Sequence, residues 1–280
     1  PTIGGPQLFQ GTPPVPGTRV ALRFRWATAQ EGTTVLEALG ATTPLGGRAE
    51  LSGRMTLTTH PPEGGLVSIG LELSELSVGE WKLLGFDLSP GEASADARAV
   101  LRLDARSFEV RDLAFAVQTG AKARALFRAL VSLAVFRAPA TAQSSAQAVW
   151  SVAERTALGV ADTDYRRIDA RTLHRRRTRY RSLEGVPALD ASLQTLGSRS
   201  ERTFDEVGVP SSIVERESIV LRARTGEVTW TSDVSFVLVL EGKSREPESA
   251  SVAGVDPEPL HDSGSGALRR DVLLRRVDGL

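Results

Sequence analysis

Residues 172–183 read TLHRRRTRYRSL, and eight arginines fall between positions 166 and 181. A guanidinium is planar, permanently charged and suited to bidentate recognition of phosphate or carboxylate. If 172–182 is a strand, its side chains alternate between two faces. Arg175, Arg177, Arg179 and Arg181 then share a face with Leu173, and His174, Arg176, Thr178 and Tyr180 take the other. Arginines at every second position form a ridge whose members lie roughly 7 Å apart. Such a ridge can hold phospholipid head groups, a polyanion or an acidic partner surface. It can equally be one ion-paired, solvent-facing side of a sheet. Glu201, Asp205, Glu206, Glu215 and Glu217 lie on the segments expected to pair next. The residues leave both readings open. Tyr180 is the lone aromatic of the stretch, whereas single-stranded nucleic acid needs several to stack on. No nucleic-acid partner is expected.

Little else in the chain has the makings of chemistry. The three histidines, His60, His174 and His261, stand at no metal-ligand spacing. There is no cysteine, which excludes disulfides, thiolate metal sites and a cysteine nucleophile. Residues 261–266, HDSGSG, contain the residue types of a hydrolase triad, but neighbours in sequence do not adopt that geometry. Gly-rich phosphate loops and nucleophile elbows are missing. The expectation is a chain that is not an enzyme and takes no cofactor and no metal.

The elements that must position these residues are mostly strands. VALRFRW (20–26) alternates with Val20, Leu22, Phe24 and Trp26 on one side. Comparable patterns run through 50–59, 66–76, 80–88, 97–104 and 108–117. Leu76 and Val78 fall out of phase with Leu71 and Leu73, which predicts a bulge near Ser74. Residues 121–136 change period. Ala123, Leu126, Phe127, Leu130, Val131 and Ala134 follow helical spacing, and Pro139 ends the run. Strands then resume to residue 243. The division read from the pattern is a Pro/Gly-rich lead over 1–18, a β-barrel-like domain over 19–243 with helix 121–136, a linker over 244–266 and an amphipathic helix over 267–280. Trp26, Trp81, Trp150 and Trp230 sit on strand patterns. Phe24, Trp26, Trp150, Trp230 and Phe236 are the candidates for core packing or for lining an apolar, lipid-sized cavity.

Charge and composition narrow the class. Lys+Arg and Asp+Glu are 34 each, so no global field draws the chain to a polyanion. Apolar content of 41% is ordinary for a globular domain. No apolar run is long enough for a membrane span, which leaves at most peripheral membrane contact. The opening PTIGGPQLFQGTPPVPG has the composition that follows an export signal. An exported protein is expected, in the periplasm, on the outer membrane surface or secreted.

The order of elements carries a resemblance. Amphipathic strands lead to FEVRDLAFAV, an apolar helix RALFRALVSLAVF follows, then VWSVAERTALGVADTDYRRI and the charged strand LHRRRTRYRSL. Glu154, Gly159 and Tyr165 match a Glu-x-x-x-x-Gly-x-x-x-x-x-Tyr segment that precedes a basic strand. This resembles the N-terminal β-barrel region of the large lipid transfer proteins, the vitellogenin and microsomal triglyceride transfer protein family. The chain lacks the cysteines of the animal members and would be a distant bacterial relative; the alternative is an unrelated barrel that packs a helix. The resemblance implies a mainly β fold, an antiparallel β-barrel or strongly curved sheet wrapped around one central helix. It also implies a non-enzymatic lipid-binding or lipid-transfer-type module of a cell-envelope protein, whose partners are lipid or another envelope protein. The alternative function is a structural or protein-interaction β domain of a surface or periplasmic assembly.

Overall fold

The computed structural model describes residues 3–32, 47–81, 98–116, 119–139, 149–156, 159–183, 191–223, 228–245 and 255–258. Ahead of the helix come β1 (Ile3–Gln7), β2 (Thr18–Gly32), β3 (Gly47–Thr59), β4 (Leu66–Trp81), β5 (Arg98–Asp104) and β6 (Val110–Ala116). Helix α1 is Ala121–Ala134. After it come β7 (Phe136–Pro139), β8 (Val149–Thr156), β9 (Gly159–Arg167), β10 (Thr172–Leu183), β11 (Ala191–Phe204), β12 (Pro210–Ala223), β13 (Val228–Arg245) and β14 (Val255–Glu258).

Twelve of these strands form one antiparallel sheet in the order β14-β6-β5-β4-β3-β2-β13-β12-β11-β10-β9-β8. β1 and β7 pair separately. Strand β13 joins the two runs, pairing with β2 from Trp230↔Gly32 to Arg245↔Thr18. The sheet is open, with β14 at one end and β8 at the other, so of the two architectures expected it is the curved sheet and not a closed barrel. The end strand β8 turns inward onto β7 instead of meeting the opposite end: Trp150 Nε1 donates to the Arg137 carbonyl at 3.1 Å.

Curvature follows from what the helix touches. Phe127 packs on Phe115 of β6, with ring centroids 6.1 Å apart. Seven residues later, the Ala134 carbonyl accepts a 2.6 Å bond from Arg202 of β11. In the sheet order β6 and β11 are seven steps apart, about 34 Å if flat. Seven helical residues rise only about 10 Å. The sheet must therefore fold around the helix.

The packing explains the periodicity. Ala123, Leu126, Phe127, Leu130, Val131 and Ala134 are all buried, in one cluster with Leu22, Phe24, Leu57, Ile69, Leu101, Leu113, Ile213 and Phe236. Arg124 and Arg128 lie over the Phe115 ring at 5.5 and 5.7 Å, so the charged side of the helix also rests on the sheet. The phase break in β4 is a bulge. Ser52 pairs with Ser77 and Arg54 with Ser74, which leaves an extra residue on β4, and Glu75 takes φ +52°. The bulge aims the Glu75 carboxylate outward at Arg23 and Arg54, 2.8 Å from each.

Part of the Pro/Gly-rich lead is structured. Leu8 and Phe9 join the core behind β1. Gln10 N–H donates to Gly208 O at 2.8 Å, and a Cβ at Gly208 would meet the Gln10 carbonyl, so the β11–β12 turn needs glycine there. Within the expected linker 244–266, β13 continues to Arg245 and β14 pairs with β6. The amphipathic helix expected over 267–280 lies outside the described residues, as do the side chains of Trp81 and Trp230.

Phe127→Ala tests the central helix. The side chain is fully buried, and its truncation is expected to cost about 3–5 kcal/mol in denaturant unfolding. A cost below about 1 kcal/mol would place the helix outside the cooperative core.

Candidate functional site

Five neighbouring strands, β8 to β12, present a polar interior where the rest of the sheet is apolar. Alternation along β10 sends Leu173, Arg175 and Arg177 inward. The register then slips: Arg177 pairs with Thr163 and Arg179 with Asp162, so Thr178 is an extra residue. After that bulge the parity inverts. Tyr180 is buried, and Arg179 and Arg181 point outward. The ridge of four arginines expected from the sequence is thus split. Arg179 and Arg181 share one exposed-side carboxylate, Asp162, at 2.9 and 2.5 Å. Arg175 and Arg177 enter the interior and are 4% and 8% exposed.

Inside, three arginines meet three glutamates. Glu215 of β12 is the hub. It accepts from Arg175 Nη2, and Arg177 Nη1 and Arg202 Nη2 each stand 3.3 Å from its carboxylate. Arg177 Nη1 also bonds Glu217 at 2.5 Å, and the Tyr180 hydroxyl donates to Glu217 at 3.4 Å. Glu154 of β8 accepts the hydroxyl of Tyr165 and lies 3.7 Å from Arg175 Nη1. Tyr165 stacks on Trp150 at 5.4 Å with the rings 7° from parallel. The Glu154 and Tyr165 of the sequence segment thus become a buried hydrogen-bonded pair.

Arg202 ties this network to the helix. It is fully buried and donates to the Ala134 and Leu133 carbonyls at 2.6 and 2.8 Å. These carbonyls end the helix, where the macrodipole is negative and no intrahelical donor remains. A guanidinium serves both, since its fork reaches two acceptors at once.

The electrostatics follow from crowding. Burial alone would raise the Glu215 carboxyl, but Arg175, Arg177 and Arg202 bring it down to about 2. Burial likewise opposes ionisation of Glu154, and the Arg175 and Arg177 charges more than offset it, so Glu154 stays below its ordinary value. Burial and the Glu154 charge push the Tyr165 hydroxyl up, which keeps it a donor. Burial and the neighbouring Arg175 charge lower Arg202 to about 10, still protonated at neutral pH. The carboxylates here are committed to guanidinium or phenol partners, and none is placed as a free general base.

Phe24 and Phe236 are buried in the main cluster, Trp26 packs partly buried against it, and Trp150 sits in the smaller cluster with Tyr165. These four side chains fill packed core. Glu215 and Glu217, noted in the sequence only as cross-strand neighbours for a solvent face, are interior partners. Arg202 was missed. Its signal was its parity with Ser200 and Phe204, which places it on the inward side of β11.

Neither a protein-family model nor a curated protein sequence matches the chain. Among solved structures, it is similar to lipovitellin, in a structure concerned with lipid–protein interactions in that protein. The TM-score is 0.54 at 14% identity, covering 88% of this chain. The chain spans 27% of the lipovitellin chain. The likeness is one of fold: a mainly β, vitellogenin-like domain.

Two outcomes test the network. Glu215→Gln leaves clustered guanidiniums without their hub and is expected to destabilise the fold by about 3–5 kcal/mol. Combining it with Arg202→Met should cost less than the sum of the two single changes, because the residues share a contact; strict additivity would show that they do not act together. The second outcome concerns acid. A carboxyl whose folded value is depressed contributes stability above its unfolded value and loses it as pH falls through the folded one. For Glu215 the window runs from its ordinary 4.5 down to about 2. Unfolding free energy should drop across that window, and Glu215→Gln should flatten the drop.

Proposed function

We propose that the chain is a non-enzymatic, lipid-binding or lipid-transfer-type module of an exported, cell-envelope protein. The observation that carries this reading is the fold likeness to lipovitellin over 88% of the chain. The placement of the segment noted in the sequence supports it: Glu154 and Tyr165 sit at the junction of the helix C-terminus and the basic strand β10.

The packing shapes this reading. Leu126, Phe127, Leu130 and Val131 of the helix occupy the apolar concave face of β2–β6, and the arginine–glutamate network occupies that of β8–β12. A lipid would therefore be held against the outside of this unit or in company with further chain. This favours a second reading in part, a β domain that meets another envelope protein, with lipid handled by the assembly.

The deciding experiment is native mass spectrometry of the purified chain with lipid extraction. Co-purifying lipid at defined stoichiometry is expected. A ligand-free mass, together with no uptake from mixed phospholipid vesicles, would remove the lipid reading and leave the protein-interaction one.

A further inference from the structure

The outer face of β8–β12 carries a second arginine cluster, made of residues that the ridge did not include. A hollow of about 680 Å³ lies there, lined among others by Arg166, His174, Arg176, Arg199 and Arg216. That volume is in the range of small-molecule sites. The four arginines come from four adjacent strands, β9, β10, β11 and β12, about 4.8 Å apart.

Their pairing is unfavourable as it stands. Arg199 and Arg216 are direct cross-strand partners. Arg176 follows Arg175, which pairs with Ser200, so it comes level with Arg199. Like charges directly opposite destabilise a sheet. The same sheet shows how such a clash is otherwise resolved. Arg23 and Arg54 are also direct partners. Glu75 lies 2.8 Å from each, and Glu241 contacts them at 2.5 and 2.7 Å. Beside the hollow, Glu201 stands 3.7 Å from Arg199 and 3.2 Å from His174. Asp164, the cross-strand partner of Arg176, accepts the Ser151 hydroxyl at 2.6 Å. Among the described residues, the side chains of Arg166, Arg176 and Arg216 have no ion-pair or hydrogen-bond partner.

We infer that this hollow is a binding site for a phosphate-bearing ligand, whose oxygens take the place that Glu75 and Glu241 hold beside Arg23 and Arg54. Guanidinium forks match the oxygens of a phosphate bidentately. Arg176, Arg199 and Arg216 stand level on three adjacent strands, about 10 Å from the first to the last. The phosphate can come from a phospholipid head group or from a soluble phosphorylated compound. The site goes beyond the lipid reading and stands without it.

The test uses the full chain, inorganic pyrophosphate in calorimetry, and vesicles of phosphatidylglycerol or of phosphatidylcholine in co-sedimentation. Pyrophosphate should bind, and Arg176→Gln/Arg216→Gln should weaken it roughly tenfold or more. Arg25→Gln/Arg98→Gln removes the same charge from exposed positions on β2 and β5 and should stay within about twofold. The first variant should melt no lower than the parent, because a like-charge clash is relieved. Phosphatidylglycerol vesicles that compete with pyrophosphate identify a head group as the source. Pyrophosphate binding without vesicle binding identifies a soluble phosphate, and the site stands while the membrane source falls. Failure to bind either probe, or an equal loss in both variants, overturns the proposal. So does binding of polyglutamate in place of pyrophosphate, which would assign the hollow to an acidic protein segment.

Discussion

The carbonyls at the end of helix α1 must be satisfied away from water, and much of the structure turns on that constraint. A helix in the concavity of a sheet gains apolar contact along its length, but its last turn has acceptors with no donors of its own. Here the last turn reaches the part of the sheet that carries guanidinium groups. Arg202 donates to Leu133 and Ala134, and it brings with it the need for a counter-charge. Glu215 supplies that charge, and Arg175 and Arg177 gather round the same carboxylate.

A buried ion network of this kind does not itself make the fold stable. Desolvating the charges costs as much as their attraction returns, and apolar replacements of matched volume are often neutral or better. Thr163 Oγ1, Ser200 Oγ, Arg177 Nε and Arg202 Nε are also buried without a hydrogen-bond partner among the described residues. What the network shows is a meeting of distant strands: the register of β8 to β12 brings Glu154, Arg175, Arg177, Arg202, Glu215 and Glu217 together. Stability comes from the other half, where Leu, Ile and Phe side chains close on Phe127 and Leu130.

This division of labour bears on function. One half of the sheet is an apolar clasp on the helix. The other is filled by charge on its concave side and lined with arginine on its outer side. The described interior is given over to the domain's own side chains, and on the outside the Arg176 and Arg216 side chains have no carboxylate partner among the described residues, unlike Arg23 and Arg54. The likeness to lipovitellin is one of fold, and the outer arginine cluster is a separate observation.

Local pattern was enough to read much of this chain. Helix α1 was legible because Leu126, Phe127, Leu130 and Val131 recur at helical spacing, and the β4 bulge because Leu76 breaks the phase of Leu71 and Leu73. Period alone says which residues share a side; it does not say which side is covered. The arginines of β10 were assigned a common face, and Thr178 reversed their parity, a slip that depends on how β9 pairs. Glu215 and Glu217 read as surface charges until β12 came beside β11 and β10, because a charge belongs inside only when its partners arrive from other strands. Whether the sheet closes was equally beyond the alternation. That is set by the helix and by β7, onto which β8 turns Trp150 and β9 turns Tyr165, so that β8 remains an edge. Helix α1 and the long strands were legible in the chain alone, since their apolar faces depend on neighbours a few residues away; β1, β7 and β14 were not. Which arginines are buried, which are neutralised and which stand bare was settled by the fold, because that depends on strands brought together from distant parts of the chain.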